Sequence, residues 1–217
     1  MNDRLMTDAH FHSGGYPAFL VLRGEERRLY GVHPWQAGDL AFDIAALRAA
    51  LEDDQAACVG EIGLDRLRNR EISGAQREVF ERQLGLAAEL RRPVVLHGAK
   101  CWGKVVKACR PFAGRIPAFM FHGFSRSLGL LPEMFAMNGF VSVGPAVLND
   151  HAANYREMAA GLPTERLLAE TDEDWGGVDG HGARIDAICA RLAELRGVDA
   201  ATLSESLEKN LARFLGE

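Results

Sequence analysis

The sequence has no apolar run near the ~20 residues needed to span a bilayer. Its opening residues, from Met1 to Gly15, hold no apolar export signal. Cysteine is sparse: Cys58, Cys101, Cys109 and Cys189 form no CxxC pair and no dense framework, as expected of reduced thiols in a cytoplasmic protein. No repeat, low-complexity tract or Pro/Gly/Ser linker divides the chain, so residues 1–217 read as a single domain. Positive charge is not in excess. With 25 Lys+Arg against 30 Asp+Glu the net charge is −5, which argues against broad wrapping of duplex DNA while leaving room for a local basic strip. The 47% hydrophobic and 25% charged content is that of a globular protein and excludes disorder or a fibre.

What is present is alternation. Short apolar, β-rich runs at Met6–His12, Ala18–Leu22, Arg28–His33, Ala57–Glu61, Pro93–His97, Pro117–His122, Phe140–Val143 and Leu167–Thr171 read as strands. Helical spacing marks Asp39–Leu51, Ala75–Leu90, Ala183–Leu195 and Thr202–Leu215, and Ser73 with Gln76 has capping-box form before the second of these. Eight strands alternating with helices predict an α/β fold, a somewhat distorted (β/α)8 barrel. The roughly seventeen residues between His12 and Tyr30 are too few for two βα units of ~30 residues each. The first units must be shortened, and Arg23-Gly24-Glu25 could turn a hairpin there.

The chemistry sits at the strand ends. His10, His12, His33, His97 and His122 each fall at the C-terminal end of a predicted strand, Glu61 ends another, and Asp172 follows the last. In a (β/α)8 barrel those ends converge on one face, where active sites are built. His10 and His12 lie two apart, so both project to one side of a strand and can grip one ion. Taken singly, His97 or His122 could be a core histidine bonded to backbone. Together these residues form a histidine and carboxylate set suited to divalent ions such as zinc or manganese. Glu61 and Asp172 follow apolar runs, and a buried carboxylate needs a partner that a cation supplies.

Six segments, in order, are similar to the TatD family of metal-dependent deoxyribonucleases and hydrolases, within the amidohydrolase-like TIM barrels. They are Asp8-Ala9-His10-Phe11-His12, Gly31-Val32-His33-Pro34, Gly60-Glu61-Ile62-Gly63-Leu64-Asp65, Pro93 to His97, His122-Gly123-Phe124-Ser125, and Leu167 to Asp172. The resemblance implies two divalent ions (Zn, Mn or Mg), with His10, His12 and Asp172 on one, His97 and His122 on the other, and Glu61 bridging. It further implies that Asp172 is the general base, that His33 lies close to the scissile phosphate, and that a water activated by the two ions cleaves DNA at its ends. The sequence departs from the family pattern around the substrate pocket, at Trp35, Arg66, Ala99 with Lys100 beside it, and Glu173-Asp174.

DNA is therefore the leading expectation for the substrate, and the alternative is a small ester, lactone or amide that the same centre could hydrolyse. For DNA speak His33, Lys100 and the strip Lys104, Lys107, with Trp35 or Trp102 to stack on a base, although the strip reads first as a solvated helix face. Against it stand Glu173, Asp174 and Asp179, which would repel a polyanion. Glu170 is expected to point away from the centre, His151 and His181 to be surface histidines, and Leu130, Leu131, Met134 and Met137 to pack in the core. No obligate protein partner and no membrane association is indicated.

Overall fold

A computed structural model describes residues 6–13, 18–38, 42–68, 70–125, 128–173 and 181–217. Eight strands form one sheet in sequence order: β1 (Asp8–His12), β2 (Ala18–Leu22), β3 (Glu25–Tyr30), β4 (Cys58–Asp65), β5 (Val94–Ala99), β6 (Phe119–Phe121), β7 (Gly139–Val143) and β8 (Leu167–Ala169). From β3 onward every pair is parallel. The crossovers carry helices α1 (Ile44–Asp53), α2 (Gly74–Leu90), α3 (Trp102–Cys109), α4 (Leu131–Ala136) and α5 (Ala153–Gly161), and α6 (His181–Arg196) and α7 (Ala200–Leu215) follow β8. The architecture is the expected α/β barrel.

Its first two units are hairpins. β1 pairs antiparallel with β2, and β2 with β3. Arg23 and Gly24 join β2 to β3 with φ of 51° and 76°, the left-handed pair that suits a two-residue hairpin turn. A parallel crossover needs a dozen residues or more, and the chain does not provide them here. Two reversals restore direction, so β1 runs the same way as β3 to β8. His10 and His12 therefore arrive at the rim shared by all the other strand ends.

The edge strands meet through backbone bonds from Asp172 N to His10 O and from His12 N to Glu173 O, both 3.0 Å. Inside the ring, Leu20, Leu29, Cys58, Val95, Met120, Phe140 and Leu168 form a dry core that Leu211 and Phe214 of α7 complete. Asn210 anchors that helix by donating to Leu167 O at 2.8 Å. The larger cluster lies outside the ring, under the crossover helices, and takes in Leu131, Met134 and Met137 with Leu130 packed against it, as expected. Cys58, Cys101 and Cys109 are free thiols, and burial pushes those of Cys58 and Cys101 up to about 12 and about 11.

α1 begins later than its spacing suggested. Asp43 caps it by accepting from the N–H groups of Ala45 and Ala46, while residues 39–41 lie outside the described residues. Ser73 caps α2 by accepting from Gln76 N at 3.1 Å. The Gln76 side chain does not complete the expected box; it turns inward, for a reason the site makes plain.

Candidate metal centre

Two strands bulge where they carry a ligand candidate. In β1 the register with β2 shifts between Asp8 and Phe11, and in β4 the register with β5 shifts between Val59 and Ile62. A bulge adds a residue to one strand and re-aims the side chain beside it. His10 and Glu61 lie in those intervals, and both are buried. Gly63, at φ +154°, keeps β4 close to β5: a Cβ there would fall 2.0 Å from His97 O.

The seven residues marked at the strand ends converge. His10 Nε2 lies 3.5 Å from Glu61 Oε2 and 3.7 Å from Asp172 Oδ1; His12 Nε2 lies 3.6 and 3.8 Å from the same atoms. His97 Nδ1, His122 Nε2 and His33 Nε2 lie 2.7, 2.5 and 3.5 Å from Glu61 Oε1. Three overlapping donor groups result: His10, His12 and Asp172; His10, Glu61 and His122; and His33, Glu61 and His97. His33 thus lies within the donor cluster. Trp35 is 39% exposed and presents its ring edge-on to His33 and His97 at 4.7 and 6.2 Å.

The donors fit a cation. Both ring nitrogens of His10, Nδ1 of His12 and His122, and Glu170 Oε2 are buried without a hydrogen-bond partner. Such atoms cost about 1–3 kcal/mol each unless something binds them. Two ligands ~2.1 Å from a tetrahedral ion stand about 3.4 Å apart, close to the separations on the His10 and His12 side and too long for hydrogen bonds.

Burial alone would push the Glu61 carboxyl up, but His122, His10 and His33 outweigh it and hold it well below the usual range. Burial lowers His12 and His33, keeping them neutral. His122 and His97 resist the same push because Glu61 and Glu170 face the first and Asp65 and Glu61 the second, and both rise above an ordinary imidazole. Asp172 has φ +48° and a side chain still 40% open to the bowl. Burial, with Glu170 and Glu61 nearby, raises its carboxyl against the pull of His122 and His10.

Behind the donors stand residues that the strand-end pattern did not single out. Asp65 Oδ2 bonds His97 Nε2 at 2.8 Å, fixing the ring whose Nδ1 faces Glu61. Gln76 accepts from Asp65 N at 3.1 Å, and this diverts it from the capping box. Seven residues on, Gln83 clamps Val32 through both its N–H and C=O, setting the turn into His33. Asp8 accepts from His10 N, Thr171 N, Thr171 Oγ1 and His181 Nε2 at 3.0, 3.2, 2.7 and 2.7 Å. Period-2 spacing from His10 to Asp8 could have pointed to Asp8; nothing in the sequence pointed to His181.

Several expectations change. His181 is 1% exposed and packed on Phe11, because α6 begins there and carries it under β1. Glu170 faces inward: its Oε1 accepts from Gly123 N at 2.7 Å and lies 3.7 Å from His122 Nδ1. Trp102 cannot stack on a base. Its ring covers Gly98, where a Cβ would meet it at 2.3 Å, and packs on Phe121 and Phe124. Lys100, Lys104 and Lys107 are exposed, and His151 is a surface residue as expected. Glu173 pairs with Arg184 Nη2 at 3.0 Å, so part of its repulsion toward a polyanion is cancelled; Asp174 and Asp179 lie outside the described residues.

The profile of TatD related DNase matches residues 25–216. The chain belongs to that family. Among TatD relatives, a 3'-5' ssDNA/RNA exonuclease of Erwinia tasmaniensis is 30% identical over 85% of this chain and 76% of its own. An uncharacterized metal-dependent hydrolase of Bacillus subtilis is 25% identical over 85% and 75%. The crystal structure of YjjV, a TatD homologue from Escherichia coli, superposes with a TM-score of 0.72 at 25% identity, covering 87% of this chain and 76% of that one. This chain is thus a TatD-type hydrolase with a candidate metal centre at the expected rim. Among the described residues, no helix is long and apolar enough to cross a membrane.

Proposed function

We propose that this TatD-type hydrolase is a divalent-metal-dependent nuclease that shortens single-stranded DNA or RNA from an end. The observation that carries the reading is the convergence of His10, His12, His97, His122, Glu61 and Asp172 in one bowl, several of their buried nitrogens left without a protein partner. The names of the relatives supply the substrate class.

His10, His12 and Asp172 would hold one ion and His97 and His122 a second, with Glu61 between, its two oxygens facing the two sets. A bound divalent ion polarises a phosphoryl oxygen and acidifies water. Asp172 takes the proton: its raised carboxyl is a better base than an ordinary aspartate, and its side chain opens to the bowl. Neutral His33 donates to a phosphate oxygen from the side of the bowl nearest Trp35, whose exposed ring stacks on the terminal base. Leu20, Met120 and Phe140 pack an apolar core inside the ring.

The test is cleavage of end-labelled single-stranded DNA with Mg or Mn, against EDTA and Asp172→Asn. Stepwise shortening that needs both the metal and Asp172 is the expected result. A metal-loaded protein that leaves every oligonucleotide intact yet hydrolyses a small carboxylic ester or lactone overturns the nuclease reading.

A further inference from the structure

Several arginines away from the rim are neutralised. Arg23, Arg27, Arg48, Arg110, Arg156 and Arg191 each sit within ion-pair distance of a carboxylate. One group is not. Among the described residues, no carboxylate lies within 4 Å of Arg66, Arg70, Arg77, Lys100, Lys104 or Lys107, and all six are exposed. In a chain of net charge −5, these cations are gathered on one side of the metal centre.

The gathering follows from the pairing of β4 with β5. Asp65 pairs with Ala99, and Arg66 N donates to Ala99 O at 3.0 Å, so two segments leave the site side by side. One continues from Asp65, which orients His97, to Arg66 and Arg70. The other continues from His97 itself to Lys100 and Lys104. Between them and the first turn of α2 opens a pocket of about 330 Å³ lined by Arg66, Arg70, Arg77 and Lys104, with Glu71 its one carboxylate. It shares Ile72, Arg77 and Lys104 with a groove of about 620 Å³ that descends between α2 and α3. The floor of that groove is apolar, from Leu64, Ala108, Pro111 and Phe112; Lys107 and Glu81 border it.

A basic mouth over an apolar trough matches one chemistry: a nucleotide within a single strand, phosphate outward and base turned in. We propose that this groove between α2 and α3 is a second nucleotide subsite, which holds a phosphate and base of the strand away from the bond being cut. It rests on the nuclease reading and adds to it a binding site outside the bowl. Glu71 and Glu81 are outnumbered by the five cations lining pocket and groove, so the local field favours a polyanion although the whole molecule does not.

The experiment is steady-state cleavage of 5'-labelled single-stranded DNA of increasing length by the metal-loaded enzyme, comparing wild type with Arg70→Glu, Lys104→Glu and the double variant. Lys209→Glu, on the exposed face of α7, is the charge-matched control. For long oligonucleotides the double variant should raise KM about tenfold, with the loss on KM and not on kcat. The slope of log KM against log salt should fall by about 0.7 for each phosphate contact removed. The gain in affinity with length should vanish in the double variant, and the charge-preserving Arg70→Lys with Lys104→Arg should restore it, which a folding defect would not allow. Oligonucleotide cleavage by wild type with the same KM, length dependence and salt slope in both glutamate variants overturns the subsite alone. Failure of wild type to cleave any oligonucleotide overturns the subsite together with the nuclease reading.

Discussion

The two walls of the bowl hold their imidazoles in different ways. On the wall where β1 meets the end of β8, His10 and His12 stand 3.5–3.8 Å from their carboxylates, and both nitrogens of His10 are unpartnered. On the wall of β4 to β6, His97 and His122 bond Glu61 at 2.7 and 2.5 Å. Each wall has an aspartate behind it. Asp8 ties β1 to Thr171 and His181 through three bonds and braces His10 N within the strand through a fourth. Asp65 reaches a donor ring directly, at His97 Nε2, and is steadied by Gln76. The first wall is held by its backbone, and the second by the orientation of a ring. Glu61 serves both, with Oε2 toward His10 and His12 and Oε1 toward His97 and His122.

That distinction orders what substitutions should do. Glu61→Gln removes the carboxylate common to the two walls, and we expect turnover to fall at least about 10³-fold with the fold retained, read by activity and circular dichroism together. Retained activity would mean that the walls work independently. Asp8→Asn should act on stability instead: losing charge-assisted bonds in a fully buried position costs about 2–3 kcal/mol, measured by urea unfolding. Asp65→Asn should leave unfolding close to wild type and weaken metal binding about 10–100-fold by titration, since His97 loses its orienting partner. If the two aspartate variants gave the same profile, the contrast between the walls would be wrong.

A smaller effect separates the walls by pH. In the metal-free chain His97 and His122 hold their protons more tightly than a free imidazole, because Glu61, Asp65 and Glu170 outweigh burial. His12 is shifted the opposite way and is already neutral. A cation must displace the protons of the first pair, so apparent metal affinity should climb as pH rises through and beyond the ordinary imidazole range and flatten once both are neutral. Proton release measured in two buffers of different ionisation heat checks the sign. Proton uptake on binding would contradict it.

The sequence placed the second wall well and the first only in part. His97, His122 and Glu61 sit on or beside parallel strands whose apolar runs and following helices are plain, so position at a strand end carried the inference. β1 and β2 are antiparallel, and the short spacing from His12 to Tyr30 hinted at that without giving the direction of β1. Bulges hid more. Strict alternation cannot foresee that every residue from Asp8 to Phe11 and from Cys58 to Asp65 is buried, because a bulge breaks the period in each strand. Glu170 was expected to face away for the same reason: alternation was extended past the end of β8, where the backbone leaves the strand. His181 was legible from no local pattern, since its partner Asp8 lies 173 residues away. Trp102, which looks like a stacking residue beside lysines, is claimed by Gly98 and two phenylalanines that only the folded chain brings to it.

The most direct test of the centre is equilibrium titration of the metal-free protein with Mn, run in parallel on Glu61→Gln. The account expects saturable binding in the wild type, with a gain in melting temperature, and loss of both in the variant. Equal binding and an equal melting gain in the two proteins would contradict it, because the ion would then be held somewhere other than between the two walls.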